Sequence, residues 1–184
     1  EINRTKEIIT GMLNFSRENK LTISEFDFSK FIRDICEKIQ HDYSTLGINI
    51  VIKVDCPDNI SIDADQTALA QVFSNLLSNA KDAIMEAKRD IGKIKVDVIK
   101  YDEELSILFT DNGTGIPKDK IPKLFTPFFT TKGYGKGTGL GLPVVYGIIK
   151  MHRGKIMVDS IEGESTTFKI NLPLKSNVSA GLLG

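Results

Sequence analysis

The sequence predicts an α+β fold, a sheet covered by helices on one face. Two observations carry that prediction. Helical periodicity dominates the first 46 residues, and strands mixed with helices follow. The chain has 184 residues and is 41% hydrophobic, so it can bury a core without disulfides or metals. That length fits one domain with a short appendage.

Residues 1–20 read as a helix with a wide apolar surface. Ile2, Ile9 and Leu13 share one face, and Ile8, Met12 and Phe15 share its neighbour. Such a surface suits packing against other helices, including those of a second chain; a helix docked on its own domain is the alternative. Residues 21–28 read as an extended linker. Ser29 is a candidate N-cap for a second helix to about Leu46, with Phe31, Ile32, Ile35 and Ile39 inward and Gly47 closing it. Residues 48–55 alternate as a strand with one apolar face. A turn at 56–59 and a short strand over 60–63 follow. A long helix is predicted over 65–88, and two strands over 93–101 and 104–111 join at Asp102-Glu103. A glycine-rich stretch runs over 111–141, with a short helix near 118–124. A helix over 140–152 and a hairpin of strands 154–160 and 166–172 complete the pattern. Residues 176–184 lack periodicity and read as a disordered tail.

Composition excludes several classes. Lys plus Arg equal Asp plus Glu at 24 each, which argues against a basic nucleic-acid footprint. No run reaches the roughly 18 apolar residues that span a bilayer. The start is charged and helical, so no signal peptide is expected, and the missing initiator Met points to a fragment of a longer chain. Cys36 and Cys56 form neither a disulfide framework nor a zinc pattern, which favours a reducing compartment. His41 and His152 are too few and too separated for a metal cluster.

Four segments carry the chemistry. On the long helix, Gln71, Asn75, Asn79 and Asp82 form one narrow polar stripe at spacings of 4, 4 and 3. Asn is a mediocre helix former, so two in mid-helix need a reason. Their neutral oxygens suit a hard cation such as Mg²⁺. Second, Asp111-Asn112-Gly113-Thr114-Gly115-Ile116 follows an apolar strand. A carboxylate there can accept from an exocyclic amine, and the glycines admit a flat ligand; a plain turn is the alternative. Third, 125–132 sets three Phe in five residues before Lys132, as an anchor and a lid. Lys132 stands where it could reach a terminal phosphate; a solvated surface lysine is the alternative. Fourth, five alternating glycines from Gly133 to Gly141 open a helix, where backbone N–H groups cradle phosphate. No P-loop, strict dinucleotide motif or protein-kinase signature is present.

Together, and in this order, these segments resemble the ATP-binding catalytic domain of sensor histidine kinases, within the wider gyrase B, Hsp90 and MutL group. The resemblance covers about residues 27–174. Asn79-Ala80-Lys81-Asp82-Ala83 and the Phe-rich box look most like the nitrogen-regulator-type subgroup. Residues 1–20 look like the end of the family's dimerisation and histidine-phosphotransfer module. The fold implied is a Bergerat-type two-layer α/β sandwich, with a mixed, mainly antiparallel sheet of about five strands under three helices. The catalytic domain would occupy 29–175.

By that resemblance, Asn79 holds Mg²⁺ and Asn75 lines the phosphate side. Asp111 accepts the adenine amine, and Gly113 and Gly115 let the base approach. Lys132 reaches the γ-phosphate. Gly137, Gly139, Leu140 and Gly141 offer backbone amides, and Ile116 and Thr138 join the nucleotide-contacting set. Phe125 and Phe128 anchor a lid over 126–139. Asp82 stands where many members carry Lys or Arg; its expected part is a hydrogen bond or the orienting of a Mg²⁺-bound water. ATP and Mg²⁺ are the implied cofactors. The implied partners are the upstream bundle of a homodimer and a response-regulator receiver domain, with no nucleic acid and no membrane contact from this segment. The location would be cytoplasmic, with a parent that is either membrane-anchored or not. One departure matters: the phosphoacceptor His with its acidic neighbour is absent. His41 lies outside any such motif, and His152 reads as structural. A water-activating Glu, used by the gyrase-type ATPases, is replaced by Asn75. The Phe box and leading helix disfavour a serine kinase of the anti-sigma-factor type, and the complete set of phosphate and metal residues disfavours a non-catalytic sensing module.

Overall fold

The computed structural model describes residues 21–130 and 137–175. The elements are β1 (Ser24–Asp27), α1 (Phe28–Thr45), β2 (Ile50–Asp55), β3 (Ser61–Ala64), α2 (Gln66–Ala87), β4 (Gly92–Lys100), β5 (Glu104–Asp111), α3 (Gly141–Met151), β6 (Lys155–Ile161) and β7 (Ser165–Pro173). A single 3₁₀ turn spans Ile121–Lys123, where a short helix is expected. The expectations for 1–20, 176–184 and Lys132 fall outside the described residues.

The main sheet has the order β2-β4-β5-β7-β6, and only the β2–β4 pair is parallel. The two hairpins, β4–β5 and β6–β7, follow from short acidic or glycine-containing turns. One face of the sheet is apolar because alternate residues point the same way. Val96, Phe109 and Phe168 stand side by side across three strands, as do Val98, Ile107 and Ile170. All six are buried. The helices cover this face, giving the two-layer sandwich expected.

The helix–sheet seam is aromatic. Phe73 of α2 packs on Phe109 of β5 at 5.3 Å between ring centres, and Phe28 and Phe31 of α1 meet Phe73 at 6.0 and 5.9 Å. Edge-on and tilted pairs of this kind add about 0.5–1.5 kcal/mol each beyond their area.

Two local expectations are corrected. Ser24–Asp27 lies where a linker over 21–28 is expected, but it pairs antiparallel with β3, with Phe26 opposite Ile62. Phe26 also packs edge-on against Phe31 at 5.1 Å. The segment is thus part of the folded unit. Nor is Ser29 the N-cap of α1. Asp27 takes that role by accepting from the Lys30 amide at 2.9 Å, so the helix starts earlier. Ser29 is buried; its hydroxyl donates to Pro57 O and accepts from the Ile60 amide.

The edge strand β2 is closed by its own helix. Gln40 of α1 donates to Ile50 O and accepts from the Ile52 amide, at 2.9 and 2.7 Å. Its carboxamide stands in for a strand neighbour, which protects an otherwise open edge.

Candidate functional site

The site lies where the core face of the sheet changes character. In its last rung, Ile94, Asp111 and Thr166 are cross-strand neighbours, and Thr166 faces Ser160. Asp111, Thr166 and Ser160 are all buried. A row of buried polar side chains thus ends an apolar face. Ser160 Oγ donates to Ser165 O, lies 3.0 Å from Thr166 Oγ1 and accepts from the Ile116 amide.

Asp111 is 5% exposed. Burial pushes its carboxyl up to about 6, while the Gly113 amide, donating to Oδ1 at 2.8 Å, pulls the other way. This carboxylate lines an open cleft of about 860 Å³, and it has no ion-pair partner among the described residues.

The cleft runs from this rung along α2 to the start of α3. Asn75, Asn79, Asp82, Asp111, Gly115, Ile116, Gly137, Thr138, Gly139, Leu140 and Gly141 all line it, joined by Gln71. Gln71 and Phe168 stand nearly a hundred residues apart in the sequence, and the fold brings them to one cavity. Gly113 stands behind Asp111, where an added Cβ would lie 2.6 Å from Ala83 Cβ. Its role is close packing of the turn on α2. Gly115 has φ +63°, and a Cβ there would lie 2.0 Å from Ile161 O. Both a left-handed backbone and a close approach therefore require glycine.

The polar stripe on α2 exists because its opposite side is core: Leu69, Val72, Phe73, Leu76, Leu77 and Ile84 are buried. Asp65 caps this helix through the Ala68 amide at 2.9 Å. At the far wall, α3 opens with Leu140, which has no side-chain oxygen to cap the first turn, and no acid lies in that turn. The positive end of the helix dipole thus meets the cleft unneutralised by a side chain. Gly141 faces α2: a Cβ there would sit 3.8 Å from Asn75 Oδ1. Gly139 takes φ +66°, and its carbonyl accepts from the Phe128 amide at 2.9 Å. This is an anion-compatible loop and an amide-bearing helix face on opposite sides of one cavity.

The expected lid anchors divide. Phe125 packs against Tyr146 of α3 at 5.4 Å. Phe128, in contrast, is 57% exposed with φ +66°, so its ring is no buried anchor here, and its backbone makes the contact instead. His152 is structural, as expected. It is buried, its Nδ1 lies 2.8 Å from Ile148 O, and its Nε2 accepts from the Asp65 amide at 3.0 Å. Burial holds its pKa below the usual imidazole range.

Sequence reasoning passes over Ser78, Glu86, Thr166 and Phe168, which also line the cleft. Thr166 was legible in principle, because it stands at a core-phase position ahead of Phe168, Ile170 and Leu172.

The cleft's donors fit a hard cation. They are oxygens of Asn79, Ser78, Asp82 and Glu86, and no group of three or more His, Cys, Asp or Glu gathers among the described residues. Such a set suits Mg²⁺ that keeps most of its shell on phosphate and water. Among the same residues no helix is long and apolar enough to cross a membrane.

Fold and cleft together define a nucleotide-binding α/β sandwich. Residues 64–176 match the family model described as histidine kinase-, DNA gyrase B- and HSP90-like ATPase, and the chain belongs to that family. Within it, the relatives it resembles include sensor kinases. The chain is 37% identical over 183 residues to sensor kinase CckA of Brucella abortus (strain 2308), covering 93% of this chain and 19% of that protein. It is 33% identical over 175 residues to sensor histidine kinase ZraS of Escherichia coli (strain K12), covering 95% and 36%. It thus spans well under half the length of these curated relatives. The nucleotide-free catalytic domain of histidine kinase ThkA superimposes with a TM-score of 0.72 at 29% identity, covering 85% of this chain and 100% of that one. ThkA in complex with response regulator protein TrrA gives 0.73 at 28%, covering 94% and 48%.

Proposed function

We propose that this chain binds Mg-ATP and transfers the γ-phosphoryl group to a histidine on an upstream helical bundle, for relay to a response-regulator aspartate. The observation that carries this reading is the single cleft with a buried carboxylate at one end and an uncapped helix start at the other. The two ends differ as the two ends of ATP do.

Each residue then has a task. At pH 7 Asp111 is largely ionised, since its pKa of about 6 lies below that pH. It therefore accepts and does not donate, which selects the adenine amine. Gly113 and Gly115 keep the turn thin, and Ile116 flanks the base. Amides of Gly137, Thr138, Gly139, Leu140 and Gly141 hold the phosphates, and Asn75 faces them. Asn79 would hold Mg²⁺, which when bound neutralises phosphate charge as it redistributes in transfer. Asp82 orients its hydration. Lys132 pairs with the γ-phosphate. These groups position and neutralise rather than react, as phosphoryl transfer demands. The histidine and its neighbouring acid belong to the bundle. The full protein would work as a homodimer in the cytoplasm, anchored to a membrane or not.

The test joins this chain to its upstream segment and supplies γ-labelled ATP with Mg²⁺. Acid-labile, alkali-stable label on protein is the expected result. Free phosphate without protein label would make it an ATPase, and bound nucleotide with neither product would make it a sensing module.

A further inference from the structure

Arg89 lies outside the cleft, in none of the motifs that announce it, yet it touches the loop that carries the buried carboxylate. Lys88 closes α2 in the left-handed region at φ +53°. That turn sends the next residue off the helix axis and beneath the 111–115 turn. There the Arg89 guanidinium reaches three backbone carbonyls. Nε donates to Asn112 O at 2.8 Å, and Nη2 donates to Gly113 O at 3.2 Å and to Gly163 O. Among the described residues no carboxylate is within ion-pair distance of it.

The loop is held from other sides as well. Asn112 donates through Nδ2 to Ile91 O and accepts at Oδ1 from the Lys93 amide. The Gly163 amide donates to Thr114 O at 2.7 Å, and the Ile116 amide to Ser160 Oγ. The Arg89 side chain joins three bodies: the end of α2, the 111–115 turn and the β6–β7 hairpin. A planar guanidinium with five donors can do this; an ammonium on one stem cannot reach three carbonyls in fixed directions.

We infer that Arg89 is a positioning residue for nucleotide binding: it sets the distance between the base-side carboxylate of Asp111 and the amide stripe of α2. The inference rests on the nucleotide-binding reading above. Asn79 and Asp111 must meet opposite ends of one ligand, and they sit on elements that otherwise meet through packing. Arg89 ties the C-terminal end of the first element to the turn of the second.

The test is a double-mutant cycle on Mg-ATP affinity, measured by calorimetry with the chain as it stands. Arg89→Ala is expected to weaken binding about tenfold in the wild-type background and less than twofold in Asp111→Asn, because the clamp acts through Asp111. Equal losses in both backgrounds, or no loss in the first, overturn it. Arg89→Lys should recover only part of the affinity; full recovery would show that charge rather than the fork suffices, and overturns it too. Hydrogen exchange of the Gly113 amide in nucleotide-free protein supplies an independent reading. Arg89→Ala should speed it at least tenfold with unchanged circular dichroism, and unchanged exchange overturns the clamp. If the wild-type chain binds no Mg-ATP, the functional reading fails, while the exchange experiment still decides whether Arg89 holds the turn.

Discussion

Asp111 shows how function works against stability at one residue. Its pKa is about 6 in the fold against an ordinary 3.8. As pH rises the unfolded chain ionises first, so burial of the charge costs nothing below about pH 3.8, and the cost grows up to pH 6 and stays at its maximum above. Two pKa units correspond to about 3 kcal/mol as a ceiling. Asp111→Asn keeps an acceptor for the Gly113 amide and removes the buried charge. It should therefore stabilise the nucleotide-free domain by about 1–3 kcal/mol at pH 7, with the gain shrinking toward pH 4, while Mg-ATP affinity drops more than tenfold. Urea denaturation at both pH values and calorimetry check this; a destabilised variant at pH 7 would refute the electrostatic account. His152 has the opposite sign. Its folded pKa lies below the usual value, so its contribution is complete above about pH 6.5 and is lost as pH falls below it. His152→Ala should cost about 1–3 kcal/mol at pH 7, because the Asp65 amide loses its acceptor, and that cost should narrow by pH 5. A pH-independent difference would show that packing alone is lost.

At the scale of elements, glycines of one composition play different parts. Gly115 is both left-handed and pressed against Ile161 O, so Gly115→Ala should cost about 3 kcal/mol and weaken nucleotide binding with it. Gly147 sits inside α3 with nothing within 4 Å of an added Cβ. Gly147→Ala should instead stabilise by about 0.5–1 kcal/mol and leave affinity unchanged. Thermal unfolding of the two variants separates them, and equal shifts would show that neither site behaves as its surroundings demand. The elements themselves were legible. The predicted strand over 104–111 coincides with β5, and the long helix over 65–88 brackets α2, because periodicity and an Asp N-cap are local signals. β1 was not legible: its four residues show no pattern, and only β3 and Phe31 make them a strand. The start of α1 was missed for a related reason, since Asp27 and Ser29 are both good caps by type and burial by the Pro57 turn decides between them.

For the whole molecule, ligand binding and stability are linked. Mg-ATP at about 100 times its dissociation constant should stabilise the domain by about 2.7 kcal/mol. Asn79→Ala should abolish the Mg²⁺-dependent part of that gain while leaving the nucleotide-free fold within about 1 kcal/mol, since Asn79 lies on the cleft side of α2 rather than in its core. Denaturation with and without Mg²⁺ measures it, and a variant that responds to Mg²⁺ as the wild type does would remove Asn79 from the metal's ligands.

By itself the sequence determined the fold class, the family, and the four segments that line one cleft, because each is written in neighbouring residues: an amide stripe at helical spacing, an Asp before paired glycines, a Phe-rich box, a glycine tract opening a helix. Only the tertiary structure decided what those segments face. Register across β4, β5, β7 and β6 set Asp111, Thr166 and Ser160 in one buried rung, and the left-handed turn at Lys88 brought Arg89 under the same loop. Both depend on contacts between residues far apart in the chain, whose partners are chosen by packing and by the pairing of backbone groups.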